Sequence, residues 1–133
     1  MAGDKFAAQV ARFVTRSKRT ATAVFRESTE RLIDQAQTPV GAGGRMRVDT
    51  GFLRASGQAS LSGLPTGPSR REEGNGDFNY SMVIAGAELG GTIWFGWTAE
   101  YARIREYHDG FMRGAAQNWQ AIVTQVAREA KAR

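Results

Sequence analysis

The sequence predicts an α+β domain: a long N-terminal helix, a three-stranded or larger antiparallel sheet, and a short helix and a C-terminal amphipathic helix packed on the sheet. Three observations carry that prediction. From Asp4 to Ala36 there is neither proline nor glycine, and apolar or small residues return every three or four positions. Ala55 to Ser62, Phe78 to Ala87 and Thr92 to Trp97 instead alternate with period two, the spacing of half-buried strands. From Phe111 onward the helical period returns. Strands grouped apart from helices make an α+β architecture, and 133 residues suit a single domain, 1–133, with one core.

The first helix, 4–36, places Phe6, Val10, Phe13, Ser17, Ala21, Val24, Ser28 and Leu32 on one face. Asp4 is a cap or first-turn acid, and the helix must stop before Pro39. Its length, roughly 50 Å at 1.5 Å per residue, is large for so small a body. One end is therefore expected to project or to pack on another subunit. Lys5, Arg12, Arg16, Arg19 and Arg26 form a stripe about half a turn from the apolar face, with no acid between Asp4 and Glu27. The stripe is a candidate interface for phosphates or an acidic partner; the alternative is an ordinary solvated helix face.

Residues 38–47, with Gly41, Gly43 and Gly44, read as a flexible loop. Residues 48–97 then hold a corner and the antiparallel strands. The corner is Val48-Asp49-Thr50-Gly51-Phe52-Leu53-Arg54-Ala55-Ser56. Asp49 and Thr50 carry short oxygens that accept bonds from amides two or three residues ahead. Gly51 tolerates a backbone angle that a side chain would forbid. Leu53 is expected to point into the core and Arg54 out of it. In the first strand Ala55, Gly57, Ala59 and Leu61 alternate with Ser56, Gln58, Ser60 and Ser62.

Loop 63–77, with two prolines and the cluster Arg70-Arg71-Glu72-Glu73, is expected to be exposed and to meet a neighbour. The second strand follows, with Phe78, Tyr80, Met82 and Ile84 on one face, then a Gly90-Gly91 hairpin turn and the third strand. There Ile93, Phe95 and Trp97 share the core face, which leaves Trp94 on the other as a candidate interface residue. The C-terminal helices occupy 98–131. Thr98 is placed to cap a short helix with Tyr101, Ile104 and Tyr107 or His108 on one side. Asp109-Gly110 interrupts it, and one last helix carries Phe111, Ala115, Trp119, Ile122, Val126 and Ala130 inward. Trp119 is expected to be buried against the sheet.

Composition removes several chemistries. No cysteine is present, which excludes disulfides and thiolate metal sites, and His108 is the sole histidine. No apolar run approaches the roughly 20 residues that span a bilayer. No apolar signal region opens the chain, so it is expected to act without secretion. Net charge is +5 and the pI about 10.2, compatible with a nucleic acid or an acidic protein neighbour. Asp49-Thr50-Gly51 is also the triplet of dimeric aspartic proteases, whose paired carboxylates activate water. Those enzymes are almost wholly β, with an apolar strand before the triplet, whereas Gly43-Gly44-Arg45-Met46-Arg47 precedes it here. His108 and Asp109 are adjacent on a helix and do not face each other. No catalytic constellation and no cofactor site is read from the residues.

Two segments together point to a family. Val48-Asp49-Thr50-Gly51-Phe52-Leu53-Arg54-Ala55-Ser56 resembles a signature of head–tail joining and tail-completion proteins of long-tailed bacteriophages, also found in phage-like gene transfer particles. Tyr101-Ala102-Arg103-Ile104-Arg105-Glu106-Tyr107 resembles that family's later segment, in which an acid precedes an aromatic residue. The family often has proline shortly before the first signature, where this chain has Arg47. It often has glycine after the second, where this chain has His108 and reaches glycine only at Gly110. The resemblance implies a non-enzymatic virion protein, assembled in the host cytoplasm and residing in the tail or neck. Its partners would be copies of itself in a ring, commonly six, together with the tail tube protein and the head-side connector or stopper. DNA would pass through the ring lumen, and no membrane is involved. Under that implication Lys5, Arg12, Arg16, Arg19, Arg26, Arg70, Arg71, Trp94 and Glu106 are candidate interface residues, and Asp49, Thr50, Gly51, Leu53 and Arg54 form the structural corner.

Overall fold

The computed structural model describes residues 2–48, 51–65 and 80–133. Helix α1, Ala2–Ala36, is the axis on which the rest is laid. Every residue from Gly3 to Ala21 is exposed, and burial begins at Thr22. Farther along, Ser28, Thr29, Ile33 and Ala36 are buried. The first half of α1 is therefore an arm of about 30 Å that projects from the body.

The glycine-rich segment after α1 is folded on itself. A short 3-10 turn at Val40–Ala42 is closed by Val40 N–H to the Met46 carbonyl (3.0 Å) and Met46 N–H to the Thr38 carbonyl (3.2 Å). Met46 is fully buried. Gly44 makes this path possible: a Cβ there would stand 2.0 Å from the Thr38 carbonyl oxygen. Glycine thus serves close backbone approach here, and backbone hydrogen bonds draw the two ends of the loop together around the buried Met46.

Gly51 turns the chain with a left-handed φ of 84° into α2, Phe52–Ala55, which buries Phe52 and Leu53 and leaves Arg54 exposed. Strand β1, Gly57–Ser60, follows, and pairs antiparallel with β2, Trp94–Trp97, in the register Gly57 to Trp97 and Ser60 to Trp94. Helix α3, Tyr80–Ala85, lies between them in sequence. The C-terminal part is α4, Ala102–Asp109; α5, Phe111–Ala116; and α6, Trp119–Ala132. Helix α6 runs antiparallel to the second half of α1, with Glu129 accepting from Arg31 and Arg133 reaching Glu27 at 3.7 Å.

The expected three-stranded sheet is not found. The described residues form a mostly helical fold, 65% helix, with six helices and one two-stranded antiparallel sheet. Of the residues read as the second strand, Tyr80 to Ala85 form helix α3 instead. Period two over a few residues cannot exclude a helix, and the contacts decide. Tyr80 and Ile84, one helical turn apart, face inward, with Ile84 buried; Met82, which a strand would place beside them, is turned out and exposed. Tyr80 Oη donates to Asp34 at 2.7 Å and Ser81 Oγ to Glu30, both on α1. Phe78 lies outside the described residues. The Gly90-Gly91 turn therefore joins a helix to a strand and makes no hairpin.

The last helix also differs from its reading. It breaks at Gln117 and Asn118, where the Asn118 N–H bonds to the Ala115 carbonyl three residues back at 2.9 Å. The tightened turn rotates the two halves, so Phe111, Ala115 and Val126 are buried while Trp119, expected inside, is exposed. Thr98 does not cap α4; its N–H and hydroxyl donate to the Ser56 carbonyl, and Tyr101 occupies the cap position. Ile104 and Tyr107 are exposed. An edge-to-face series, Tyr80, Phe95, Trp97 and Phe111, ties α3, β2 and α5 into one body.

Candidate functional site

The two signature-like segments meet in space. Phe52 and Leu53 of the first join Met46, Ala99 and Phe111 in a buried cluster. Tyr101 and Ala102 of the second pack against that cluster, with the Phe52 and Tyr101 ring centres 6.2 Å apart. Residues almost fifty positions apart in sequence thus form one corner.

Polar groups lock the corner. Gln37, the residue just past α1, is buried. Its Nε2 donates to the Arg54 carbonyl at 3.0 Å, and its Oε1 accepts from Trp97 Nε1 at 2.7 Å. Arg54 Nε donates to the Gln37 carbonyl at 3.0 Å, placing a cation on an open carbonyl at the C-terminal end of α1. Glu106 performs the matching task for α5. Its two carboxylate oxygens accept from the Met112 N–H (2.8 Å) and the Arg113 N–H (3.0 Å), donors the first turn of a helix leaves open.

A cleft of about 700 Å³ opens beside this corner. Pro39, Val40, Val48, Leu53 and Tyr101 supply apolar wall, and Arg47, Arg54 and Arg105 bring three guanidinium groups. Arg105 lies one helical turn after Tyr101, so both reach the same side. It also stands 3.7 Å from Asp109. Among the described residues no carboxylate is paired with Arg47 or Arg54.

The other named residues are scattered. Lys5, Arg12, Arg16 and Arg19 are exposed on the projecting arm. Arg26 is committed to the body, with Nε donating to the Ala87 carbonyl at 2.8 Å. Trp94 is exposed at the start of β2, far from any role in the corner core. Asp49, Thr50, Arg70 and Arg71 lie outside the described residues. The residues passed over by sequence reasoning are Gln37, Arg47 and Arg105. Only Arg105 carried a usable signal, its helical spacing from Tyr101; nothing about Gln37 in the sequence marks it as a hub.

Comparison with family models, curated proteins and solved structures returns no match.

Two titrations flank the body. Burial, aided by the bond to Asp34, pushes the Tyr80 phenol up to about 12. The Arg31 hydrogen bond holds the Glu129 carboxyl below the usual range and raises Arg31 in return. Among the described residues no group of three or more His, Asp or Glu is placed to hold a metal ion, and no helix is long and apolar enough to cross a membrane.

Proposed function

We propose that this chain is a structural virion protein that forms a ring at the phage head–tail junction, completing the tail and joining it to the head connector. The observation that carries the reading is the packing of Phe52 against Tyr101, which makes one corner of the two family-like segments. Shared signatures far apart in a chain acquire a common reason when they build one feature.

The arm adds support. On its first 21 residues an apolar face of Phe6, Val10, Phe13 and Val14 has no cover from the body. Exposed apolar stripes of this kind mark interaction surfaces. A joining protein needs such reach, since ring contacts are head-to-tail and must match two different surfaces of one subunit.

The test is assembly. The purified chain should form a closed oligomer or co-assemble with tail tube protein, measured by native mass spectrometry and by electron microscopy of particles. Deleting residues 2–20 should abolish assembly while the melting temperature stays put, because every residue from Gly3 to Ala21 is exposed. A chain that remains monomeric at every concentration and is missing from particles sinks the proposal.

A nucleic-acid-binding module is the second reading, favoured by charge distribution. Lys5, Arg12, Arg16, Lys18 and Arg19 against Asp4 leave +4 on residues 1–21, of +5 for the chain. That reading expects duplex binding that falls steeply with salt. Unchanged affinity after reversing Arg12, Arg16 and Arg19 to Glu removes it. The aspartic protease has little support, because a mostly helical fold lacks the β scaffold that the paired triplets need.

A further inference from the structure

We infer that the cleft beside the corner is a receptor for an acidic peptide segment with an apolar anchor, supplied by a second copy of this chain. Three features of the cleft define the ligand. Arg47, Arg54 and Arg105 gather positive charge in a concavity, and among the described residues only Asp109, at 3.7 Å from Arg105, offsets any of it. Arg47 and Arg54 are exposed and Arg105 is half-buried, and like charges gathered along one cleft repel until an anion joins them. Arg54 is held in place through its Nε by the Gln37 carbonyl, so one of the three cations is positioned before any ligand arrives.

The walls choose the type of anion. Val40, Val48 and Tyr101 present apolar surface within the same cleft. A free phosphate would leave that surface uncovered, and a duplex is too broad and convex to enter a space of this size. A carboxylate beside an aromatic or aliphatic side chain fills both halves, with guanidinium groups well suited to carboxylates. The volume lies within the roughly 300–1,000 Å³ of ordinary ligand clefts.

The chain itself carries the complementary chemistry in Glu72, Glu73, Asp77 and Phe78, three acids and one aromatic residue within seven positions. A cleft on one copy and this segment on the next make two different surfaces that match, which is what a head-to-tail contact requires. The inference deepens the ring reading and rests on it only for the claim that the donor is another subunit.

Two measurements test it. A synthetic peptide with the sequence of residues 72–79 should bind the full chain, one peptide per chain, by calorimetry. Binding should weaken with added salt and fall about tenfold for each of Arg47→Ala and Arg105→Ala, variants whose melting temperatures are checked first. Equal binding by the variants, or an equal response to acetate or inorganic phosphate alone, overturns the peptide assignment. The second is a charge swap in the full chain. Arg47→Glu with Arg105→Glu, and Glu72→Arg with Glu73→Arg, should each fail to associate alone and should associate when mixed. If oligomers form regardless of these changes, the ring reading stands and the cleft is not its contact. If the peptide binds but no oligomer forms under any condition, the cleft is a receptor and the ring reading fails.

Discussion

Gln37 and Arg54 hold each other by two bonds of equal length: the Gln37 side chain donates to the Arg54 carbonyl, and the Arg54 side chain donates to the Gln37 carbonyl, both at 3.0 Å. Each residue thus serves the backbone of the other, seventeen positions away, and Trp97 adds a third bond from β2. The end of α1, the turn at α2 and the sheet share one polar junction. Such a junction gives its groups partners they would otherwise lack once buried.

Gln37→Leu should therefore cost about 1–3 kcal/mol, because the Trp97 N–H and the Arg54 carbonyl lose their partner together. Arg54→Ala should cost a similar amount, and the double variant less than the sum of the two singles. Urea unfolding of the four proteins measures this. Additive losses would show the two residues acting independently.

Gly44 and Gly41 stand in the same loop and should behave oppositely on substitution. A Cβ at position 44 would collide with backbone at Thr38, whereas one at position 41 meets nothing within 4 Å. Gly44→Ala should cost about 3 kcal/mol or more, and Gly41→Ala no more than about 0.5 kcal/mol. Equal melting temperatures would contradict the closed loop around Met46.

Glu106, a candidate interface residue, caps α5 by accepting from the Met112 and Arg113 amides. Glu106→Ala leaves the Met112 and Arg113 amides open and should destabilise by about 1–2 kcal/mol, with faster hydrogen exchange at those two amides. Loss of assembly without loss of stability would show that its interface role outweighs the cap.

Acid should loosen α6 from α1. The folded state holds Glu129 below its ordinary pKa, chiefly through the Arg31 hydrogen bond. Its contribution is complete above the unfolded glutamate value, about 4.3, and disappears as pH falls through the lower folded value. Glu129→Gln should flatten the acid limb of a stability-against-pH curve. At the other extreme Tyr80, raised to about 12, contributes fully below the ordinary phenol value, about 10, and loses that contribution as pH rises through about 12. Tyr80→Phe should remove that alkaline limb.

The chain's long first helix was legible because 3.6-residue periodicity without breakers over some thirty positions has no competing explanation. Leu53 inside and Arg54 outside were legible from the corner's own pattern. The segment at Tyr80 was not, since its alternation fits a strand and a short helix equally until Asp34 and Glu30 offer partners on α1. The cleft was not legible either, because Arg47, Arg54 and Arg105 come from three separate stretches.

By itself the sequence determined where the chain must be helical over long spans, where it must turn, and where its charge lies, because these follow from neighbours a few residues apart. Only the tertiary structure decided which end of the long first helix projects, that the described residues pair two strands where three were expected, and that Phe52 meets Tyr101. Those outcomes depend on which distant surfaces bury one another, and short-range pattern holds no record of that choice.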